Sequence, residues 1–149
     1  MIGEGCHFVD LACFLSRGEL ASVHGTFRQP RELGGGIDDF AVSLRFSSGD
    51  LATVHYATGG HPSLSKERIE AIGCGYSFVV DDFHSMSSFG RRTLATKAGA
   101  GDRGFRGHLA NFFSAIRGTA ALATTVEDGV RVAAVFQTLM ADAHGNSGS

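Results

Sequence analysis

The chain is poor in several things that would each point to a function. Its 149 residues include only two prolines and three cysteines. Cys6, Cys13 and Cys74 are odd in number and form no C-x-x-C pair. A disulfide framework is therefore not expected, and a reducing cytoplasm is the simpler setting. No apolar run approaches the roughly 20 residues that span a bilayer, so no membrane partner is expected. No basic n-region and apolar h-region open the chain, so no secretory leader is read at Met1-Ile2-Gly3-Glu4. Positive charge is scattered, with Arg91-Arg92 as the lone basic doublet, and the formal net charge is −2. That removes the electrostatic case for nucleic acid. No G-x-S-x-G supports a serine hydrolase. Seven histidines are present, but none shows H-x-x-x-H spacing, so zinc has no support either.

What remains has the balance of one ordinary globular domain over residues 1–149, with 43% hydrophobic and 19% charged residues. Twenty-one glycines beside so few prolines suggest many tight turns between short strands. Periodicity then orders the elements. Phe8, Leu11, Ala12 and Leu15 share a helical face from Cys6 to about Ser16, with Arg17-Gly18 as the stop. The preceding residues Ile2 to Gly5 give no proper helix entry. Strands are expected at Ala21–Arg28, Phe40–Phe46, Leu51–Thr58, Arg68–Ile72 and Tyr76–Val80, with weaker ones at Ser85–Phe89 and Arg91–Ala95. The alternation of Phe40, Val42, Leu44 and Phe46 is the strongest, and Ser47-Ser48-Gly49-Asp50 turns it into a hairpin. Phe105, Leu109, Phe112, Phe113 and Ile116 then form a helical stripe. A last helix opens on a capping box with Thr124 as N-cap and Glu127 three residues on, and runs through Val132, Val135, Phe136, Leu139 and Met140. Residues 144–149 are expected to fray.

Strands in series with short turns predict an α+β fold: an open, mostly antiparallel sheet of about six strands with helices packed on one face. Ala52, Val54 and Tyr56 alternate with Leu51, Thr53, His55 and Ala57, which leaves the other face half apolar. Such a face suits a partner surface. Surfaces always carry some apolar atoms, and that plainer account stands beside it.

Three segments could carry chemistry. In Glu4-Gly5-Cys6-His7-Phe8-Val9-Asp10, His7 and Asp10 are three apart at a helix start, so their side chains can meet. A carboxylate there can fix an imidazole tautomer and raise its basicity, and the glycines would let a ligand approach the backbone. By spacing alone, an ordinary helix start explains the cluster better: Asp10 complementing the dipole, His7 a satisfied core histidine. The run Gly99-Ala100-Gly101-Asp102-Arg103-Gly104 is a literal G-x-G-x-x-G. No buried strand precedes it and no βαβ unit follows, so it reads as a connection and not as a dinucleotide site. In Gly59-Gly60-His61-Pro62-Ser63-Leu64-Ser65-Lys66-Glu67-Arg68, His61 and Lys66 fit a substrate-contact loop and an ordinary surface loop about equally.

Gly5-Cys6-His7-Phe8-Val9-Asp10-Leu11 resembles the G-x-H-x-x-D segment of the Gfo/Idh/MocA oxidoreductases, the glucose–fructose oxidoreductase and inositol dehydrogenase family. Asp39 to Phe46, Gly49-Asp50, Thr58-Gly59-Gly60-His61, Lys66-Glu67-Arg68-Ile69-Glu70, Asp81-Asp82-Phe83 and Gly107-His108 continue the likeness over nearly the whole chain. The resemblance implies a C-terminal substrate domain of an NAD(P)-dependent dehydrogenase acting on sugars, inositols or their derivatives. It implies that His7 is the acid/base or hydrogen-bonding group, that Asp10 orients it, and that His61 or Lys66 contacts a sugar-like substrate. It also implies a homodimer or higher oligomer through the open sheet face. The family's N-terminal Rossmann domain and its E-K-P lysine have no counterpart here. No cofactor is therefore expected on this chain alone, and NAD or NADP is expected in a full-length enzyme, where a separate Rossmann domain would be a partner. The aspartate usual four residues before the histidine is Gly3 here, with Glu4 one residue on. The alternative is a non-catalytic assembly or binding module that keeps the sheet as an interaction surface.

Overall fold

The computed structural model describes residues 2–16, 18–28, 39–90, 94–97 and 104–145. The elements run α1 (Ile2–Leu15), β1 (Leu20–Phe27), β2 (Phe40–Phe46), β3 (Leu51–Tyr56), β4 (Arg68–Gly73), β5 (Tyr76–Asp81), β6 (Ser85–Phe89), β7 (Leu94–Lys97), α2 (Phe105–Ile116) and α3 (Val126–Gly145). The fold is α+β with antiparallel strands throughout the described pairings. The strands pair as two meanders, β1-β2-β3 and β4-β5-β6-β7, where the sequence suggested one sheet of about six. The chain divides into two compact units, Met1–Gly59 with Thr124–Ser149, and Gly60–Ala123.

The first unit holds the hydrophobic core. Phe40, Val42, Leu44 and Phe46 of β2 are all buried, while Ser43 and Arg45 between them are exposed, as the period of a half-buried strand requires. Val54 of β3 joins them, and Val9 of α1 with Val132, Val135, Phe136 and Leu139 of α3 closes the cluster. Ala52 and Tyr56 point to the same side as Val54 and pack against this core. The alternating residues Leu51, Thr53 and His55 face outward with Ser43 and Arg45, so this sheet's outer face is mostly polar. Phe46 N–H donates to the Asp50 carbonyl at 3.0 Å to close the β2–β3 hairpin, with Gly49 in the left-handed region at φ 91°.

Two helix starts differ from the sequence reading. α1 begins at Ile2 and includes both Gly3 and Gly5, poor helix formers on their own. Packing explains the second glycine: a Cβ on Gly5 would lie 2.7 Å from Phe40 Cζ and 3.2 Å from Phe136 Cζ. The buried residues are Gly5 and Val9, with Cys6, Phe8, Ala12 and Cys13 packed alongside; Phe8 and Ala12 of the expected Phe8, Leu11, Ala12 and Leu15 face thus reach the core, while Leu15 is exposed. The capping box of α3 lies one residue later than expected. Thr125, not Thr124, precedes the first turn, and its N–H and Oγ1–H donate to Asp128 Oδ2 at 2.8 and 2.9 Å. Asp128 N–H returns a longer contact to Thr125 Oγ1 at 3.4 Å. At its far end α3 continues through Gly145, so the tail expected to fray from His144 begins within the helix; residues 146–149 lie outside the described residues, as do Arg17 and the loop around Pro30.

The second unit is thinner. Ile69, Ala71, Phe78, Val80 and Met86 share one face of β4-β5-β6 through the register Ile69↔Val80↔Met86 and Ala71↔Phe78. Tyr76, Phe78 and Met86 on that face stay exposed. α2 carries the expected stripe, yet none of its residues is buried, and Phe105 keeps 72% of its surface exposed. Helix packing on the sheet holds for α1 and α3 in the first unit. Among the described residues no helix is long and apolar enough to cross a membrane.

Candidate functional site

The G-x-H-x-x-D segment lies wholly on α1. Its glycine turns inward and its histidine outward. Gly5 is buried against Phe40 and Phe136, so it serves close helix–sheet packing and not ligand approach to the backbone. Val9, one turn on, is fully buried. These two contacts fix the rotation of α1, and they leave His7 exposed. The core-histidine account is thereby excluded. Asp10 is half-buried on the following turn. Neither His7 nor Asp10 makes a side-chain hydrogen bond or ion pair among the described residues, so the expected His7–Asp10 contact is not formed.

A different pair is formed beside His7. Tyr56, last residue of β3, donates its hydroxyl to Glu4 Oε2 at 3.0 Å. The Tyr56 ring stacks on Phe40 with centroids 5.3 Å apart and planes 15° apart, and Phe8 lies at 6.3 Å on a tilt of 49°. The phenol thus combines a ring lodged in the core with a polar tip at the surface, the usual placement of an amphipathic aromatic. Glu4 and His7 are three apart on α1 and share its face. Sequence reading passed over Tyr56 because it appears there as one more alternating residue of a strand. Only the pairing Phe40↔Tyr56 brings it under α1.

A second arrangement anchors the end of the β2–β3 hairpin. Asp39 Oδ1 accepts from Thr58 N–H at 2.8 Å and from Thr58 Oγ1–H at 2.9 Å, while Arg28 Nε lies 3.0 Å from Asp39 Oδ2. The two hydrogen bonds from Thr58, with help from the Arg28 charge, hold the Asp39 carboxyl below its ordinary value. Burial has the opposite effect at Cys13: desolvation pushes its thiol up. No disulfide joins Cys6, Cys13 or Cys74.

His61 and Lys66 belong to the second unit, in the loop leading to β4. Both are exposed. Ser63 N–H donates to His61 Nδ1 at 3.2 Å and Leu64 N–H to the His61 carbonyl at 2.9 Å, a local turn that leaves Nε2 as the outward nitrogen. Lys66 Nζ lies 4.0 Å from Glu67 Oε1. Among the described residues no three His, Cys, Asp or Glu side chains converge as metal ligands would. A dinucleotide fingerprint sits in a parallel βαβ unit, whereas the described strand pairings are antiparallel. The glycine run before α2 lies outside the described residues except for Gly104, the left-handed N-cap of α2 at φ 85°.

Helices laid over an antiparallel sheet agree with the comparisons. The sequence profile of the GFO/IDH/MocA C-terminal domain matches residues 1–78. The chain belongs to the Gfo/Idh/MocA oxidoreductase family, as its C-terminal domain. No curated protein sequence matches it. Among solved structures, UDP-N-acetylglucosamine 3-dehydrogenase GnnA from Acidithiobacillus ferrooxidans superposes with a TM-score of 0.75 at 19% identity, over 91% of this chain and 44% of its own. Levoglucosan dehydrogenase in complex with NADH gives 0.80 at 17% identity, over 96% and 47%. A second structure of that enzyme also holds L-sorbose. The WlbA dehydrogenase from Bordetella pertussis, in complex with NADH and UDP-GlcNAcA, gives 0.59 at 17% identity, over 95% and 41%. At these identities the likeness establishes the fold. This Gfo/Idh/MocA domain spans less than half the length of each of those chains.

Proposed function

We propose that this chain supplies the substrate side of an NAD(P)-dependent oxidoreductase acting on the CH–OH group of a sugar- or inositol-like molecule, and that it transfers no hydride without a Rossmann domain. The observation that carries this reading is His7: an exposed imidazole on a helix whose rotation is fixed by Gly5 and Val9. A group that must give or take a substrate's hydroxyl proton needs that combination of access and fixed position. His7 would exchange that proton. Asp10, one turn on, would orient the imidazole once substrate is bound. The dehydrogenases solved with NADH support NAD(P) as the cofactor of the full-length enzyme.

Fluorescence titration with NADH tests the first half. The isolated chain should show no saturable binding, and tight binding would overturn the division of labour. His7→Ala, in a chain rejoined to a Rossmann domain, should lower kcat/KM by about 10²–10⁴-fold with little change in melting temperature. Unchanged turnover would remove His7 from the chemistry.

A second reading has its own support. Gly3 stands where the family usually has aspartate, and Tyr76, Phe78 and Met86 expose an apolar sheet face in the second unit. Both favour an assembly module that joins copies of the domain through that open sheet face. In the first reading the same face would oligomerise the enzyme.

A further inference from the structure

We propose that the outer face of the β1–β2–β3 sheet carries a binding site for a phosphate-class oxyanion, formed by Arg45 with His24 and the hydroxyls of Ser22 and Ser43. The register sets these groups side by side. Ser22 is directly opposite Arg45 and His24 directly opposite Ser43, so all four project from one side of the sheet, away from the buried Val42, Leu44 and Phe46. Directly opposite residues stand about 4.5–5.5 Å apart at Cβ, and diagonal ones about 7–8 Å apart, which is the relation of His24 to Arg45. Donors that close on one oxyanion over bonds of about 2.7–2.9 Å need a spacing of that order. His24, Ser43 and Arg45 are exposed.

The positive charge there is uncompensated. Among the described residues the Arg45 and His24 side chains make no hydrogen bond or ion pair. The neighbouring carboxylates are engaged elsewhere. Asp50 Oδ2 accepts from Ser16 Oγ–H at 3.3 Å just past α1, Asp39 pairs with Arg28 at the far end of β2, and Glu19 lies within electrostatic range of Cys13 on α1. β2 is the central strand, paired on both sides, so Arg45 is not a charge that guards a sheet edge. The guanidinium fork can take two oxygens of one anion. The imidazole and the serine hydroxyls donate from the adjoining positions on β1 and β2. Donors approaching from two strands suit a tetrahedral group better than a planar carboxylate. The site lies on the face opposite α1, so it stands or falls apart from the reading of His7.

The test uses the full chain, isotopically labelled, and inorganic phosphate as the probe, with ionic strength held constant by sodium chloride. Arg45 Nε–H and His24 ring resonances are followed together by NMR, with each variant's melting temperature as a fold control. In the unsubstituted chain both residues should shift along one saturable curve, and acetate should bind more weakly. Arg45→Gln should weaken the apparent Kd about tenfold and His24→Gln about threefold, with melting little changed, and Arg45→Lys should recover part of the loss. His55→Gln is the control: it lies on the same face opposite Ala41, and should bind phosphate as tightly as the unsubstituted chain. Glycerol 2-phosphate is titrated in parallel; saturable binding of either supports the site, and the tighter of the two tells whether it takes the free ion or an ester. A response that chloride alone reproduces, an unchanged affinity in Arg45→Gln, or acetate binding as tightly as phosphate overturns the proposal.

Discussion

Cys13 and Cys74 carry the same thiol in opposite settings. Cys13 is packed against the core on α1, and desolvation raises its pKa, so little thiolate is present near neutral pH. Cys74 is exposed in the β4–β5 turn. Iodoacetamide should therefore alkylate Cys74 first and Cys13 last, an order that peptide mass spectrometry reads directly. Asp39 makes a different prediction, in pH. Its folded-state pKa is depressed by the Thr58 hydrogen bonds, so it binds fewer protons folded than unfolded. Its stabilisation is fully present above the unfolded value of about 4 and is lost as pH falls through the lower folded value. Asp128 at the α3 cap has the same sign, its carboxyl lowered by Thr125. Melting temperature against pH should fall below about pH 4, and Asp39→Asn should flatten part of that fall while lowering stability near neutrality. At this scale the sequence was legible where one residue acts alone. The motif placed His7 correctly on a helix, but the burial of Gly5 against Phe40 and Phe136 and the pairing of Glu4 with Tyr56 depend on residues about 35 to 130 positions away, where spacing carries no information.

Elements were more legible than their ends. The alternation in β2 and the stripe in α3 located both, because burial of one face imposes the period that the sequence displays. The α3 cap was misplaced because Thr124-Thr125-Val126-Glu127-Asp128 offers two overlapping boxes, and glutamate is the commoner third residue. The core chooses between them: with Val132, Val135, Phe136 and Leu139 buried, the helix entry falls at Thr125 and Asp128. Thr125→Ala should therefore cost about 1 kcal/mol in urea unfolding, and Thr124→Ala almost nothing. α1 shows the converse. Two glycines argued against a helix before Cys6, yet the close approach to Phe40 needs a side chain no larger than hydrogen at residue 5. Gly5→Ala improves intrinsic helix propensity and still should destabilise by about 1–3 kcal/mol, because the new methyl must displace Phe40 or Phe136.

At the scale of the molecule the two units differ in how well each closes its own apolar surface. The first pairs a three-stranded sheet with two helices and, among the described residues, buries ten hydrophobic side chains. The second leaves Tyr76, Phe78 and Met86 exposed on one sheet face and the whole α2 stripe exposed as well. Sequence periodicity could not foresee this, because a stripe reports that a face is apolar and says nothing of what covers it. Exposed apolar surface of this kind on a stable chain is ordinarily matched by a partner. If copies of the domain associate through the β4–β6 face, light scattering should show a mass that rises with concentration. Phe78→Ser together with Met86→Ser should return it to monomer while leaving the melting of the first unit unchanged. The polar outer face around Ser43, Arg45, Thr53 and His55 provides the control, since Thr53→Ser there should leave association unaltered. A chain that stays monomeric at every concentration would contradict association through this face in both the enzymatic and the assembly readings, because each assigns the same surface to a second copy.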